Sequence, residues 1–254
     1  MENCKKSIAV FGDIHGHLET VEAALAVDAD EIIFVGDFLD SFTRSQEDQM
    51  ECLNLVLSAT NATALLGNHE ASYLYDQRCS GYNQTMANIV NAYGRTRLAN
   101  TLLDHVWLEY EHYYPIVITH AGVTADWFDI EPRRITEHDV RNWLYSAPVE
   151  DRYGVGYARG GNMPVGGHLW CDWWREFEPI PAVRQIVGHS NYRPHGAYGG
   201  IVSKGDNYNI DCLGRINEYM FIKDDGLMEV RSLDLEQEMI RLRLGLNDQG
   251  ESDE

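Results

Sequence analysis

The sequence predicts an α/β fold with a parallel sheet, on two observations. Apolar runs at Ile8-Ala9-Val10-Phe11, Glu31-Ile32-Ile33-Phe34-Val35 and Ala62-Thr63-Ala64-Leu65-Leu66 alternate with amphipathic stretches. That β-α-β-α-β order is the one that crossover helices over parallel strands require. Each run also ends in a glycine beside polar, metal-competent side chains: Gly12-Asp13-Ile14-His15-Gly16, Gly36-Asp37-Phe38-Leu39-Asp40 and Gly67-Asn68-His69-Glu70. Open α/β sheets place ligands at the carboxyl ends of their strands.

The elements follow in order. Leu18, Val21, Ala24 and Leu25 have helical spacing after the first strand. Ser45-Gln46-Glu47-Asp48 resembles a capping box, and Met50, Leu53, Val56 and Leu57 continue it as a core-facing stripe. Residues 69–104 lack strand-like alternation and read as an inserted helical cap. Val106–Tyr110 and Ile116–Thr119 bracket His112-Tyr113-Tyr114-Pro115 as a hairpin that ends in His120-Ala121-Gly122. Thr136-Glu137-His138-Asp139 opens a helix through Trp143 and Leu144. Residues 146–168 form a Gly-rich loop interleaved with Arg152, Tyr153, Tyr157 and Arg159, which fits either a binding lid or a surface loop. Val183–Val187 is a further strand, ending in Gly188-His189-Ser190. Strand-like runs follow at 197–202, 207–211, 216–222 and 227–233, with Asp224-Asp225-Gly226 as a turn. Leu235–Leu244 reads as a short docking helix before an acidic tail. No internal repeat or linker divides the chain.

At 254 residues the chain can bury a proper core, and 44% hydrophobic with 24% charged residues is ordinary for a soluble globular protein. A formal charge of −20 argues against nonspecific nucleic-acid or anionic-membrane binding, which rewards basic faces. No apolar run approaches the ~20 residues that span a bilayer. The 5 cysteines are odd in number and lack C-x-x-C pairing, which suits reduced thiols and a cytoplasmic location.

Asp13, His15, Asp37, Asn68, His120 and His189 are the candidate metal ligands. Their oxygen and nitrogen donors would hold two divalent ions with Asp37 shared between them, and such a set, lacking thiolate, suits Mn, Fe or Zn. Two-metal hydrolases use a bridging hydroxide for in-line attack. Gly-Asp and Gly-Asn are also common turn formers. That explanation serves one site; it does not serve five in sequence order. His69-Glu70-Ala71-Ser72-Tyr73 has Tyr where a zinc-protease helix needs its second His, and Gly154-Val155-Gly156-Tyr157-Ala158-Arg159 lacks the third Gly of a dinucleotide loop. The lone histidines His105, His112, His138, His168 and His195 read as structural.

GDIHG, GDFLD, GNHE, THAG and VGHS, in this order, resemble the calcineurin-like metallophosphoesterases, in particular the phosphoprotein-phosphatase branch with its small bacterial and phage members. The resemblance covers roughly residues 7–215. It implies a four-layer α/β/β/α sandwich. The chain's own pattern sets that domain at 1–235, with a helical insertion at about 69–104 and the Gly-rich loop at 146–168, followed by a short helix and acidic tail at 236–254. It implies Asp13 and His15 on one metal, Asp37 bridging, and Asn68, His120 and His189 on the other. It makes His69 the proton donor to the leaving group, oriented by Asp40, and an imidazole beside a carboxylate is held protonated as that role demands.

The departures bear on substrate. Where the family reads Asp-Arg-Gly, Asp40 is followed by Ser41-Phe42. In Leu169-Trp170-Cys171-Asp172, Asp172 stands where small bacterial relatives carry a second arginine. Arg175, Arg44 and Arg159 are candidates to restore the phosphate clamp. The leading expectation is hydrolysis of phosphomonoesters, on a phosphoprotein or a small phosphorylated molecule. The alternative is a phosphodiesterase or dinucleoside-polyphosphate hydrolase, with the Tyr/Trp-rich 146–175 region stacking a base. A third reading is a metal-bound binding module with poor catalysis, against which all ligands and His69 speak.

Overall fold

The computed structural model describes residues 6–191, 199–214 and 216–235. It begins as expected: β1 (Ile8–Phe11), α1 (Leu18–Leu25), β2 (Glu31–Phe34), α2 (Gln46–Ser58) and β3 (Ala62–Ala64). β1 pairs parallel with β2 in the register Ile8 to Glu31, and β2 pairs parallel with β3. Ser45 caps α2, its Oγ accepting the Asp48 N–H at 3.0 Å. Three helices follow, α3 (Asn68–Leu74), α4 (Gln84–Tyr93) and α5 (Arg95–Thr101), and then the hairpin of β4 (His105–Leu108) and β5 (Ile116–Thr119). Next come α6 (Glu137–Ser146), started by the Thr136–Asp139 capping box, and α7 (Val149–Arg152). The chain continues through β6 (Arg184–Val187), β7 (Val202–Lys204), β8 (Asn207–Asn209), β9 (Glu218–Ile222) and β10 (Met228–Ser232).

Two sheets result, ordered β10-β9-β1-β2-β3 and β4-β5-β6-β8-β7. Side-chain alternation sorts each strand's residues between two faces. Ile8, Val10, Ile33 and Val35 join Ile116, Ile118 and Ile186 in one buried cluster, the core between the sheets. Ala9, Phe11, Ile32 and Phe34 point the other way and pack with Val21, Ala24, Leu53 and Val56 of α1 and α2. Val117 of β5 packs with Val140 and Leu144 of α6 on the far side. The stack is α/β/β/α.

Three details differ from the sequence reading. The helices expected to form a cap cover the first sheet instead: Met86, Ala87, Val90 and Leu98 lie in the same cluster as α1 and α2. Their apolar faces are satisfied by the sheet, and the loop before α4 is what reaches the strand ends. Of the strand expected at 197–202, residues 197 and 198 lie outside the described residues, 199–201 are not strand and β7 starts at Val202, while β8 stops at Asn209. The Gly-rich 146–168 segment is pinned. Glu176 Oε1 accepts the Ala158 N–H at 3.0 Å, Oε2 accepts those of Gly166 and Asp172 at 3.0 Å each, and the Tyr153 ring is buried. His195, and all but the first residue of the closing 235–244 segment, lie outside the described residues. Among the described residues no helix is long and apolar enough to cross a membrane.

Candidate active site

The candidate ligands lie on loops at the carboxyl ends of β1, β2, β5 and β6 and at the start of α3. Four of the loop residues hold left-handed backbone without being glycine: His15 (φ 43°), Asp37 (52°), Asp40 (60°) and His189 (68°). Such backbone costs energy and clusters at functional sites. Hydrogen bonds fix it. Asp37 O accepts the N–H groups of Ile14 at 3.0 Å and His15 at 2.7 Å, joining the first loop to the second. Glu70, fully buried at the first turn of α3, accepts the N–H groups of Asp37 (2.9 Å), Phe38 (2.9 Å), Leu39 (3.0 Å) and Gly67 (3.2 Å). Gly36 is required where these loops touch, since a Cβ there would lie 2.6 Å from Gly67 N at a φ of 110°.

Donor atoms converge around Asp37. Asn68 Oδ1 lies 2.9 Å from His120 Nε2 and 2.8 Å from His189 Nδ1. The two imidazole nitrogens are 3.2 Å apart, and His120 Nε2 is 3.3 Å from Asp37 Oδ2. Ligands at ~2.1 Å around a shared divalent ion have edges of about 3.0–3.4 Å. His120 Nδ1 donates to Val35 O at 2.9 Å and His15 Nδ1 to Leu39 O at 2.8 Å, so each ring turns Nε2 inward, where its neutral form offers a bare lone pair. Once His120 gives up its proton, lone pairs of Asn68, His120 and His189 face one another, which fits a cation. On the other side of Asp37, His15 Nε2 and His69 Nε2 each stand 3.9 Å from Oδ2. Asp13 lies at the rim of this set, its carboxylate accepting the His189 N–H at 3.0 and 3.1 Å. The first sheet carries Asp13, His15, Asp37 and Asn68, and the second carries His120 and His189.

The electrostatics agree. Burial pushes the Asp37 carboxyl up, but His120, His69 and His15 outweigh it and hold it well below the usual range. Burial, Arg159 and His120 hold His189 neutral, and burial lowers His15. Burial would lower His120 too, yet Asp37 and Asp13 raise it to about 9, a proton with which a divalent ion would compete. His69 is held protonated: Asp37 and Asp40 outweigh its burial.

His69 Nδ1 donates to Asp40 Oδ2 at 3.0 Å, and the Tyr73 hydroxyl donates to the other oxygen of Asp40. Tyr73 is in turn fixed by the Asn83 N–H at 3.2 Å, and Cys79 Sγ lies 3.4 Å from His69 Nδ1. Sequence reasoning missed Glu70, Tyr73 and Cys79. Glu70 and Tyr73 carried a signal in helical spacing: Tyr73 lies one turn beyond His69, and Glu70 sits where a first-turn carboxylate reaches back to free N–H groups.

Of the three candidate arginines, none lines the cavity beside the ligands. That cavity, about 570 Å³, is bordered by His15, His17, Asp40, Phe42, His69 and Asp211 among others. Arg175 is exposed and donates to Ala158 O at 3.3 Å. Arg44 is held by Glu19 and by His17 Nδ1 at 2.9 Å. Arg159 comes nearest to a ligand, donating to Ser190 Oγ at 2.8 Å and His189 O at 3.2 Å.

Residues 6–193 match the calcineurin-like phosphoesterase family. The chain belongs to that family. As a metallophosphoesterase it resembles a symmetrical bis(5'-nucleosyl)-tetraphosphatase from Marinomonas sp. (strain MWYL1), 28% identical over 174 residues. The matched region is 64% of this chain and 58% of that protein, so the chain spans less than two thirds of the relative's length. In structure it is similar to a cold-active protein-tyrosine phosphatase of a psychrophile Shewanella sp., with a TM-score of 0.52 and 14% identity over 90% of this chain and 80% of that one. A protein serine/threonine phosphatase from Saccharomyces cerevisiae gives a TM-score of 0.52 at 16% identity, over 90% of this chain and 80% of the other. At such identities the likeness shows a shared fold, the four-layer arrangement of the metallophosphoesterases.

Proposed function

We propose that this metallophosphoesterase hydrolyses phosphate esters with two divalent ions, acting on phosphomonoesters of a protein or a small molecule. The observation that supports this most is the convergence of the Asn68, His120, His189 and Asp37 donor atoms within 3.3 Å of His120 Nε2, beside a protonated His69. Asp13, His15 and Asp37 would hold one ion, and Asp37, Asn68, His120 and His189 the other. Bound there, Mn, Fe or Zn would supply Lewis acidity toward the phosphoryl oxygens and the attacking water.

The chain's own residues would do the rest. His69 Nε2 faces the Asp37 side of the centre, so its proton can pass to the departing oxygen. Asp40 accepts from Nδ1, which aims the ring and stabilises the imidazolium until the proton is given up. Tyr73 holds the other Asp40 oxygen, so the carboxylate cannot swing away. Glu70 keeps the Asp37–Leu39 backbone in place and thereby the shared ligand.

A second reading, hydrolysis of a dinucleoside polyphosphate, is favoured by the cavity itself. Among the described residues no arginine lines it, and the Phe42 ring stands 83% exposed at its edge, able to stack a base. The Marinomonas relative's activity points the same way. Turnover measured with Mn on an alkyl phosphate, bis-nitrophenyl phosphate and diadenosine tetraphosphate separates the two. The first reading expects the monoester to have the highest kcat/KM. A preference for the dinucleotide installs the second, and no metal-dependent turnover on any of them rejects both.

A further inference from the structure

The loop between α3 and α4 brings a thiol to the His69–Asp40 pair. Cys79 Sγ lies 3.4 Å from His69 Nδ1 and 4.0 Å from Asp40 Oδ2, and those two atoms are 3.0 Å apart. A tetrahedral zinc ion has bonds of about 2.3 Å to sulfur and about 2.0–2.1 Å to nitrogen and oxygen, hence S···N and S···O edges near 3.5 Å and an N···O edge near 3.3 Å. The triangle in the protein differs from that one by about half an ångström at most.

We propose that Cys79, His69 and Asp40 form a separate, inhibitory site for a thiophilic divalent ion such as zinc. Its donor set differs in kind from the centre around Asp37: one thiolate, one imidazole and one carboxylate select a softer ion than an all oxygen-and-nitrogen set does. Three features favour it over a mere hydrogen-bonded cluster. The Tyr73 hydroxyl occupies the other Asp40 oxygen, leaving Oδ2 for the ion and orienting it. Asp40, His69 and Ser80 line the cavity, so an ion and a water as fourth ligand have a way in. Cys79 is partly exposed, whereas Cys52, Cys171 and Cys212 are buried.

Binding replaces two protons. The Cys79 thiol and His69 Nδ1 each lose one to solvent, and S–metal, N–metal and O–metal bonds form. His69 keeps its Nε2 proton, but the ring is now a neutral imidazole, and giving up that proton would leave an imidazolate. No imidazolium remains to act as an acid near neutral pH. The site stands on geometry alone; its inhibitory effect rests on His69 being the proton donor proposed above.

The experiment uses the full chain loaded with Mn. Cobalt(II) is titrated in while the near-ultraviolet thiolate-to-cobalt charge-transfer band is followed, and zinc inhibition is measured in parallel on an alkyl phosphate and on nitrophenyl phosphate. The expected result is a band that Cys79→Ser abolishes and Cys4→Ser retains. Zinc should slow the alkyl phosphate at least tenfold more than the nitrophenyl ester, whose leaving group needs no proton. Cys79→Ser should need at least tenfold more zinc for the same inhibition. A band that persists in both Cys79→Ser and Cys79→Ala, or that never appears, overturns the site. Zinc inhibition undiminished in those variants means displacement at the Asp37 centre and also overturns it. A Cys79-dependent band with equal inhibition of both substrates keeps the site and instead rejects His69 as the proton donor.

Discussion

Asp172 and Arg159 form an ion pair, Oδ2 to Nε at 3.0 Å, and Arg159 in turn donates to the carbonyl of His189. The carboxylate that stands where small relatives carry an arginine therefore meets a guanidinium after all, one supplied by the Gly-rich segment. Arg159→Met should loosen the His189–Ser190 turn and weaken Mn binding severalfold, read by metal titration. Arg175→Ala removes only an exposed contact to Ala158, so kcat/KM on monoesters should stay within about twofold, since surface changes away from such features are usually small. A tenfold fall would restore Arg175 as the phosphate clamp.

Removing the His69 proton should matter most where the leaving group is poor. His69→Asn is expected to cost ~10²–10⁴ in kcat on an alkyl phosphate and much less on nitrophenyl phosphate. Tyr73→Phe, which frees one Asp40 oxygen, should show the same leaving-group dependence at smaller size. Equal losses on both substrates would assign His69 to binding.

Glu70 should prove structural. Its two oxygens accept four backbone N–H groups, and Glu70→Gln puts an amide NH₂ against two of those donors. Each buried donor left unpaired costs about 1–3 kcal/mol, so urea denaturation should report a loss of roughly 2–6 kcal/mol. A variant as stable as the parent would show that the loop does not depend on this carboxylate.

Acid should destabilise the protein through His168. The ring is fully buried, and burial drives it from the ordinary 6.5 down to about 3. The unfolded chain then takes up a proton below pH 6.5 that the native state refuses until about 3, so stability falls as pH drops through that window. Between pH 7 and pH 5 the contribution is about 2 kcal/mol. His168→Phe should flatten the pH dependence of urea midpoints by about that amount, and an unchanged slope would place the sensitivity elsewhere.

Much of the fold was legible in the sequence, and so was the gathering of the candidate ligands at strand ends. The strand ends advertise themselves because left-handed turns need particular residues, and here those residues also carry side chains able to hold a metal. The hairpin ending in His120 and the strand ending in His189 were legible for the same reason. The layer to which α4 and α5 belong was not: Met86 and Val90 show that a face is buried, but not against which partner. Nor was the destination of the arginines, since a guanidinium on a long stem is placed by loop packing such as the Glu176 tether. Cys79 lay outside every motif, ten residues from the histidine it touches.

The division of the candidate ligands between the two sheets would have a mechanical consequence. Four come from the first sheet and two from the second, so ions bound among them would rivet the sandwich across its own core. Cation concentration then becomes a folding variable: at a hundred times Kd, a ligand bound only by the native state adds about 2.7 kcal/mol. A chelator would do more than silence such an enzyme. It would unfasten one half of the sandwich from the other.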